Sequence, residues 1–275
     1  MNKKRVNQRT LGPISSELIY KLIEHGKEIF TLGEAAKIYG KGRQETSDFL
    51  GDLMNRGLLA RIVPGTFLIL KMGQENTQLS NWPIIAQVLA GKDNYYISHY
   101  SAMRLHGMTT HPLSTVTITI TKKRPAKKIH NHSYQFVYSK PAHFWGNSEL
   151  WVTKQEKVSV SNLERTILDG LDRPDLCGGI KEVIRGIWAK QKSIDWDKLI
   201  KYSKKYHTRA AIKRLGFILE MLDLPIDPLP LLETINMGKD YVALDPNGPK
   251  LGKHLSRWRL LVNMNIDELK ASVWG

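Results

Sequence analysis

The stretch that most constrains this chain is "LLARIVPGTFLIL", residues 58–70, because the hydrophobic period changes there. Upstream, apolar residues recur at helical spacing. From Leu58 onward they form two short runs of β-type residues around Val63-Pro64-Gly65-Thr66. Proline presets the backbone for the second position of a type II turn, and glycine accepts the positive φ that its third position demands. A β-hairpin is therefore expected here, directly after helices.

Three helices are expected before it. In "ISSELIYKLIEHG" the residues Leu18, Ile19, Leu22 and Ile23 share a face, Ser15 or Ser16 serves as the cap, and Gly26 ends the run. In "TLGEAAKIYG" Thr31 and Glu34 have the spacing of a capping box, in which each side chain satisfies an otherwise orphaned backbone donor. Leu32, Ala35, Ala36 and Tyr39 give that helix a buried side. The third, "RQETSDFLGDLMNRG", turns Phe49, Leu50, Leu53, Met54 and Leu58 inward. Three helices and a hairpin within the first 70 residues is the layout of a winged helix-turn-helix.

In that layout the second helix of the pair enters the major groove by its N-terminal residues. Stepping 100° per residue from a buried Leu50 puts Lys41, Gln44, Asp48 and Asn55 outward, with Arg43 and Ser47 toward the flanks at the helix start. Gln44 can pair bidentately with adenine and Asp48 can accept from cytosine. Lys41, Arg43 and Ser47, with Arg61 of the wing, are expected at phosphate. The two cations at the helix mouth read as having no acidic partner. Glu45, Asp48 and Asp52 on the same helix would oppose phosphate wherever they face it.

A formal net charge of +15 suits a polyanionic partner. Two runs concentrate it without an acid of their own: "TKKRPAKK" holds Lys122, Lys123, Arg124, Lys127 and Lys128, and "KYSKKYHTRAAIKR" includes Lys201, Lys204, Lys205, Arg209 and Lys213. Both are candidate auxiliary surfaces for DNA or for a protein partner. The single cysteine, Cys177, rules out an internal disulfide and points to a reducing, cytoplasmic home. The N-terminal twenty residues lack the apolar stretch of a signal peptide, and no run is long enough to span a membrane.

The polar stretch 71–81 separates an N-terminal domain, 1–72, from a larger one, 73–275. There, "WPIIAQVLAGKDNYYISHYSAMRLHGM" reads as two helices, the second opened by Ser98 and closed by Gly107. "STVTITIT" and "SYQFVYSK" read as strands, with the first basic run in the loop or hairpin tip between them. Ser161 and Glu164 suggest a second capping box, before a core stripe of Leu163, Ile167, Leu168 and Leu171. Arg165 and Asp169, four apart, read as an exposed ion pair worth only tenths of a kcal/mol, roughly 0.2–0.5. "GGIKEVIRGIWAK" and "RAAIKRLGFILEMLDLP" read as further helices, and "YVALDP" and "WRLLVN" as closing strands. The fold class is α+β.

No catalytic motif stands out. The nine histidines show no metal-ligand spacing, and neither a phosphate-binding glycine loop nor a nucleophile elbow is present. Asp245 with Glu268 and Lys270 imitates a Mg²⁺-dependent nuclease constellation, but "NIDELKASVW" reads as a helix capped by Asn265, where that chemistry needs a strand. Cys177 has no local activating cation. No catalytic residue, metal or cofactor is expected.

The phrases "NRGLLARIVPGTFLIL", "YYISHYSAMRLHGM", "LERTILDGLDRPDLCGGI" and "KRLGFILEMLDLP", followed by "RWRLLVN", occur in one order over about residues 15–265. In them the chain resembles the AbiEi family, antitoxins and transcriptional regulators of bacterial type IV abortive-infection toxin–antitoxin operons. The resemblance implies an N-terminal domain that binds inverted repeats in the operon's own promoter and represses it. It implies a C-terminal α+β domain that neutralises a cognate nucleotidyltransferase toxin, with or without direct contact. It supplies no catalytic residues, and its ERT-LD phrase falls on Glu164, Arg165, Thr166, Leu168 and Asp169. Two competing expectations are a stand-alone regulator with a ligand-sensing C-terminal domain and the nuclease.

Overall fold

The computed structural model describes residues 11–70, 81–234 and 239–274. It has mixed α+β architecture and divides into two compact units, residues 1–91 with 127–133, and residues 92–126 with 134–275. The boundary expected at 72/73 lies outside the described residues.

The first unit runs α1 (Pro13–Glu24), β1 (Ile29–Thr31), α2 (Leu32–Tyr39), α3 (Arg43–Asn55), β2 (Leu59–Val63), β3 (Thr66–Ile69) and α4 (Trp82–Ala90). Helix α1 begins at Pro13, not at a serine cap: proline lacks the N–H that would be orphaned in a first turn. Ser15 is instead buried and accepts from Arg56. Leu18 and Leu22 are buried as expected, whereas Ile23 is exposed. The Thr31–Glu34 capping box forms. Tyr39 stacks on Phe49 at 4.7 Å, joining α2 to α3, and Leu50 and Leu53 are fully buried. Strands β2 and β3 pair antiparallel about Pro64-Gly65, and Gly65 takes φ +76°, as the turn requires. The three-residue β1 adds on the other side of β3, giving the order β1-β3-β2. It is too short to show as a pattern in the sequence. The strand β6 (Lys127–Ile129) is counted with this unit.

In the second unit β4 (Tyr95–Ile97), α5 (His99–Leu105), β5 (Thr115–Ile120) and β7 (His132–Tyr138) are followed by β8 (Asn147–Trp151) and β9 (Lys157–Ser161). The sheet order is β7-β5-β4-β9-β8, with β4 and β9 parallel. Strand β5 is buried along most of its length. Its threonines are tolerated inside because Thr119 donates to Ser98 Oγ at 2.8 Å, while the backbone N–H of Thr117 finds Ser101 Oγ.

Helices α6 (Leu163–Asp172), α7 (Ile180–Lys190), α8 (Trp196–Lys205), α9 (Arg209–Met221) and α10 (Leu229–Thr234) precede a small sheet of β10 (Val242–Ala243), β11 (Lys253–Leu255) and β12 (Leu260–Val262), then α11 (Ile266–Trp274). The expected Ser161–Glu164 box does not form. Asn162 caps α6 by accepting from the Arg165 N–H at 3.0 Å, Ser161 bonds Thr166, and Glu164 turns to Lys198. Trp258 lies directly on α9: a Cβ at Gly216 would come within 2.1 Å of its ring. Arg214, also buried, donates to the carbonyls of Leu171 and Ala243, tying α6 and β10 to α9. Among the described residues, no helix is long and apolar enough to cross a membrane.

Candidate functional site

Two places carry functional groups, one in each unit. In the first, Gly40-Lys41-Gly42 leads into α3, and Thr46 donates back to the Gly42 carbonyl at 2.8 Å, fixing the first turn. Lys41, Arg43, Gln44 and Asp48 are exposed there, Ser47 is half-buried, and Arg61 on β2 is exposed. The expectation that the helix-mouth cations lack an acid is corrected: Lys41 pairs with Glu45 at 3.3 Å. Gln44 donates to Asp48 at 3.0 Å, and Arg56 pairs with Asp52 at 3.3 Å. Every acid on this helix is thus engaged one turn away. Such exposed pairs are worth only about 0.3–0.5 kcal/mol each, so a phosphate or base edge can displace them at little cost. The Arg61 guanidinium stands 5.8 Å from the centroid of the Phe67 ring, which steadies it at the hairpin.

The two basic runs are less free than their sequence suggests. Lys122 and Arg124 both pair with Asp93, from about thirty residues upstream, and the hydrogen bond from Lys122 leads in holding that carboxyl below the usual range. Lys123 sits over the Tyr138 ring, Lys127 donates to the Ile62 carbonyl, and Lys128 is exposed. In the second run Lys201, Lys204, Lys205 and Arg209 are exposed, Lys205 lying 4.7 Å over Trp145. Lys213 is removed from that surface: it is buried, and its ammonium donates to the Asp240 carbonyl at 2.7 Å.

The second place is a cleft of about 370 Å³ in the second unit, lined from β4, α5, β5, β7 and the segment that follows it, α6 and the α8–α9 link. Its floor is the Arg165–Asp169 pair. The sequence reading placed this pair on the surface, but the two side chains are 3% and 6% exposed. Arg165 donates through Nε to Asp169 Oδ1 at 2.8 Å and through Nη1 to the carbonyls of His143 and Trp145. Its guanidinium lies 4.5 Å from the Trp145 ring and 5.3 Å from that of Tyr206. Burial is the largest single influence and opposes its charge, but the Asp169 carboxylate together with Tyr96 and Tyr206 raises its pKa. Asp169 Oδ1 also accepts from the Tyr206 hydroxyl at 2.8 Å, whereas its buried Oδ2 has no hydrogen-bond partner among the described residues. Sequence spacing cannot distinguish a buried ion pair from an exposed one. The only signal was that both residues fall in the ERT-LD phrase.

Three imidazoles reach this cleft: His99, His143 and His207. His143 and His207 stack at 4.3 Å, nearly parallel. Burial holds His99, His207 and the more distant His106 below the ordinary 6.5. The unfolded chain therefore binds protons that the folded unit excludes. Stability is whole above about pH 6.5 and is lost as pH falls through the depressed folded values. The melting temperature is expected to drop between roughly pH 7.5 and roughly pH 5.5. His99→Asn, which tolerates the φ of +52° at this position, should lessen the drop. A melting temperature flat across that range would contradict the assignment.

Among the described residues, no group of three or more His, Cys, Asp and Glu side chains is placed to hold a metal ion. Cys177 is buried, and burial pushes its thiol pKa up. Glu268 and Lys270 lie on α11, which Asn265 caps, so the E-x-K spacing falls on a helix and not on the strand that the nuclease arrangement needs.

No protein-family model and no curated protein matches the chain. Among solved structures it is similar to the RV2827C protein from Mycobacterium tuberculosis, with a TM-score of 0.70 over 98% of this chain and 97% of that one. The sequence identity is 14%, so the likeness concerns the fold.

Proposed function

We propose that the chain is a DNA-binding regulator whose first unit acts as a winged helix-turn-helix, with α3 in the major groove and the β2–β3 hairpin as its wing. The observation that carries this reading is the exposed start of α3. There Lys41, Arg43 and Gln44 stand together with their acids held by weak, displaceable partners, above a core that includes Leu50 and Leu53. Gln44 leaves Asp48 to read adenine, while Lys41, Arg43 and Ser47 take phosphate and Arg61 anchors the wing. In keeping with its resemblance to the AbiEi family, the chain represses its own operon as the antitoxin of a nucleotidyltransferase toxin. The second unit serves neutralisation.

The test is binding of the full chain to the DNA upstream of its own gene, against a scrambled duplex, at roughly 50 and roughly 200 mM salt. A preference of about 10³-fold or more, with affinity falling steeply with salt, is expected. Lys41→Ala should weaken binding to both duplexes and reduce the salt slope by about one, while Gln44→Ala should cost about 1–3 kcal/mol at one base pair only. Equal, weak binding to both duplexes would sink the reading. Co-expression with the neighbouring toxin gene tests the antitoxin role: growth unrestored by the full chain removes it and leaves the DNA-binding role standing.

A further inference from the structure

We propose that β6 serves as a second basic strand beside the wing, so that Lys127 and Lys128 hold the backbone of duplex DNA together with Arg61. The inference rests on the DNA-binding reading of the first unit. It extends that footprint from the α3 mouth and the hairpin to a strand 65 residues further along the chain.

The basic run at 121–128 divides in two. Lys122 and Arg124 are held by Asp93 in the second unit, whereas residues 127–133 are counted with the first. There β6 is anchored by the buried Ile129 and comes close to β2. Strand β2 is the edge of its sheet, in the order β1-β3-β2, and its register against β3 shifts between Arg61 and Val63. Such a bulge leaves one residue outside the ladder. That residue is Ile62, and its carbonyl accepts from the Lys127 ammonium. The contact fixes a cation at the residue next to Arg61. It uses one of the three ammonium donors and leaves two for phosphate oxygens.

What these strands carry and lack selects the partner. Arg61, Lys127 and Lys128 are exposed, and none of them makes an ion pair among the described residues. Residues 57–70 and 127–133 contain no acidic side chain, so nothing within either segment competes for the three cations. Neither segment exposes a large hydrophobic side chain, aliphatic or aromatic. A protein partner would need such an anchor at the centre of its interface. A single strand would need an aromatic ring on which to stack its bases. The backbone of a duplex needs only positive charge placed against its phosphates.

The experiment measures binding of the full chain to the duplex upstream of its own gene, and to a scrambled duplex, across a salt series. Lys128→Ala is expected to weaken both alike and to reduce the salt slope by about one, with the melting temperature unchanged. Lys127→Ala combined with Lys128→Ala should reduce the slope by about two. Lys128→Arg, which keeps the charge, should retain it. Lys128→Cys carrying an iron–EDTA group should cleave the bound duplex at discrete backbone positions, since the native Cys177 is buried and stays unlabelled. The proposal is overturned if Lys128→Ala and the double variant keep the wild-type slope, or if the tethered iron gives no localised cleavage. Variants that bind DNA normally but no longer restore growth beside the toxin gene would assign the strand to a protein partner, which overturns it too. Binding weakened by Lys41→Ala but not by the β6 variants removes only the extended wing. A wild-type chain that binds no DNA removes both readings, so the two failures are distinguishable.

Discussion

Arg165→Ala is expected to destabilise the second unit by about 3–5 kcal/mol, because removing one partner of a buried ion pair leaves the other charged and alone. The loss has three parts in this protein. Asp169 keeps only the Tyr206 hydroxyl, the carbonyls of His143 and Trp145 lose their shared donor, and the rings of Trp145 and Tyr206 lose the guanidinium they pack around. Against a typical domain stability of about 5–15 kcal/mol, this is a large fraction. Urea unfolding followed by tryptophan fluorescence would measure it. The double variant Arg165→Met with Asp169→Leu separates charge from packing. Removing both charges should recover much of the loss, since an apolar pair of similar size is often as stable as a buried ion pair. Recovery should be incomplete, because the two carbonyls and the Tyr206 hydroxyl remain unmatched. A loss under about 1 kcal/mol for Arg165→Ala would mean that the pair is as exposed as its spacing first suggested.

Leu50→Ala is expected to abolish DNA binding without touching a contact residue. Leu50 is fully buried in a core with Leu18, Leu22, Leu53 and Leu58, and truncating such a leucine costs about 2–5 kcal/mol. Small units bury a smaller share of their surface and have little stability to lose. At 37 °C the variant should therefore be substantially unfolded in its first unit, and operator affinity should fall in proportion to the fraction folded. Leu50→Met, which keeps the volume, should cost less than about 1.5 kcal/mol and bind almost normally. Lys41→Ala supplies the contrast: it should weaken binding while leaving the melting transition in place. DNA binding that survives Leu50→Ala unchanged would place the interface elsewhere.

The first unit was legible because its information is local. A helix face repeats every 3.6 residues, a capping box spans four residues, and a Pro-Gly turn is two adjacent ones, so Thr31–Glu34, Leu50–Leu53 and the β2–β3 hairpin could each be read from a short window. The outward placement of Lys41, Gln44, Asp48 and Asn55, all exposed, followed from the same stepping. What was missed there was equally physical. Pro13 outcompeted two serines for the start of α1, and β1 is only three residues long.

The buried site could not be read in this way. Arg165 and Asp169 stand four apart on α6, and that spacing is the same whether water or protein covers them. The covering groups, His143, Trp145 and Tyr206, come from about twenty residues upstream and about forty downstream. Asp93 is likewise brought to a basic run in which the sequence places no acid, and Lys213 is taken inside by Asp240.

The sequence by itself determined the periods, the turns and most of the helices and strands, because each depends on neighbours within a few positions. Only the tertiary structure decided which charges are buried, which acids meet which bases, and why position 216 is glycine: Trp258, 42 residues later, occupies the space a side chain would need. Burial depends on what packs from a distance, and no window along the chain contains that partner.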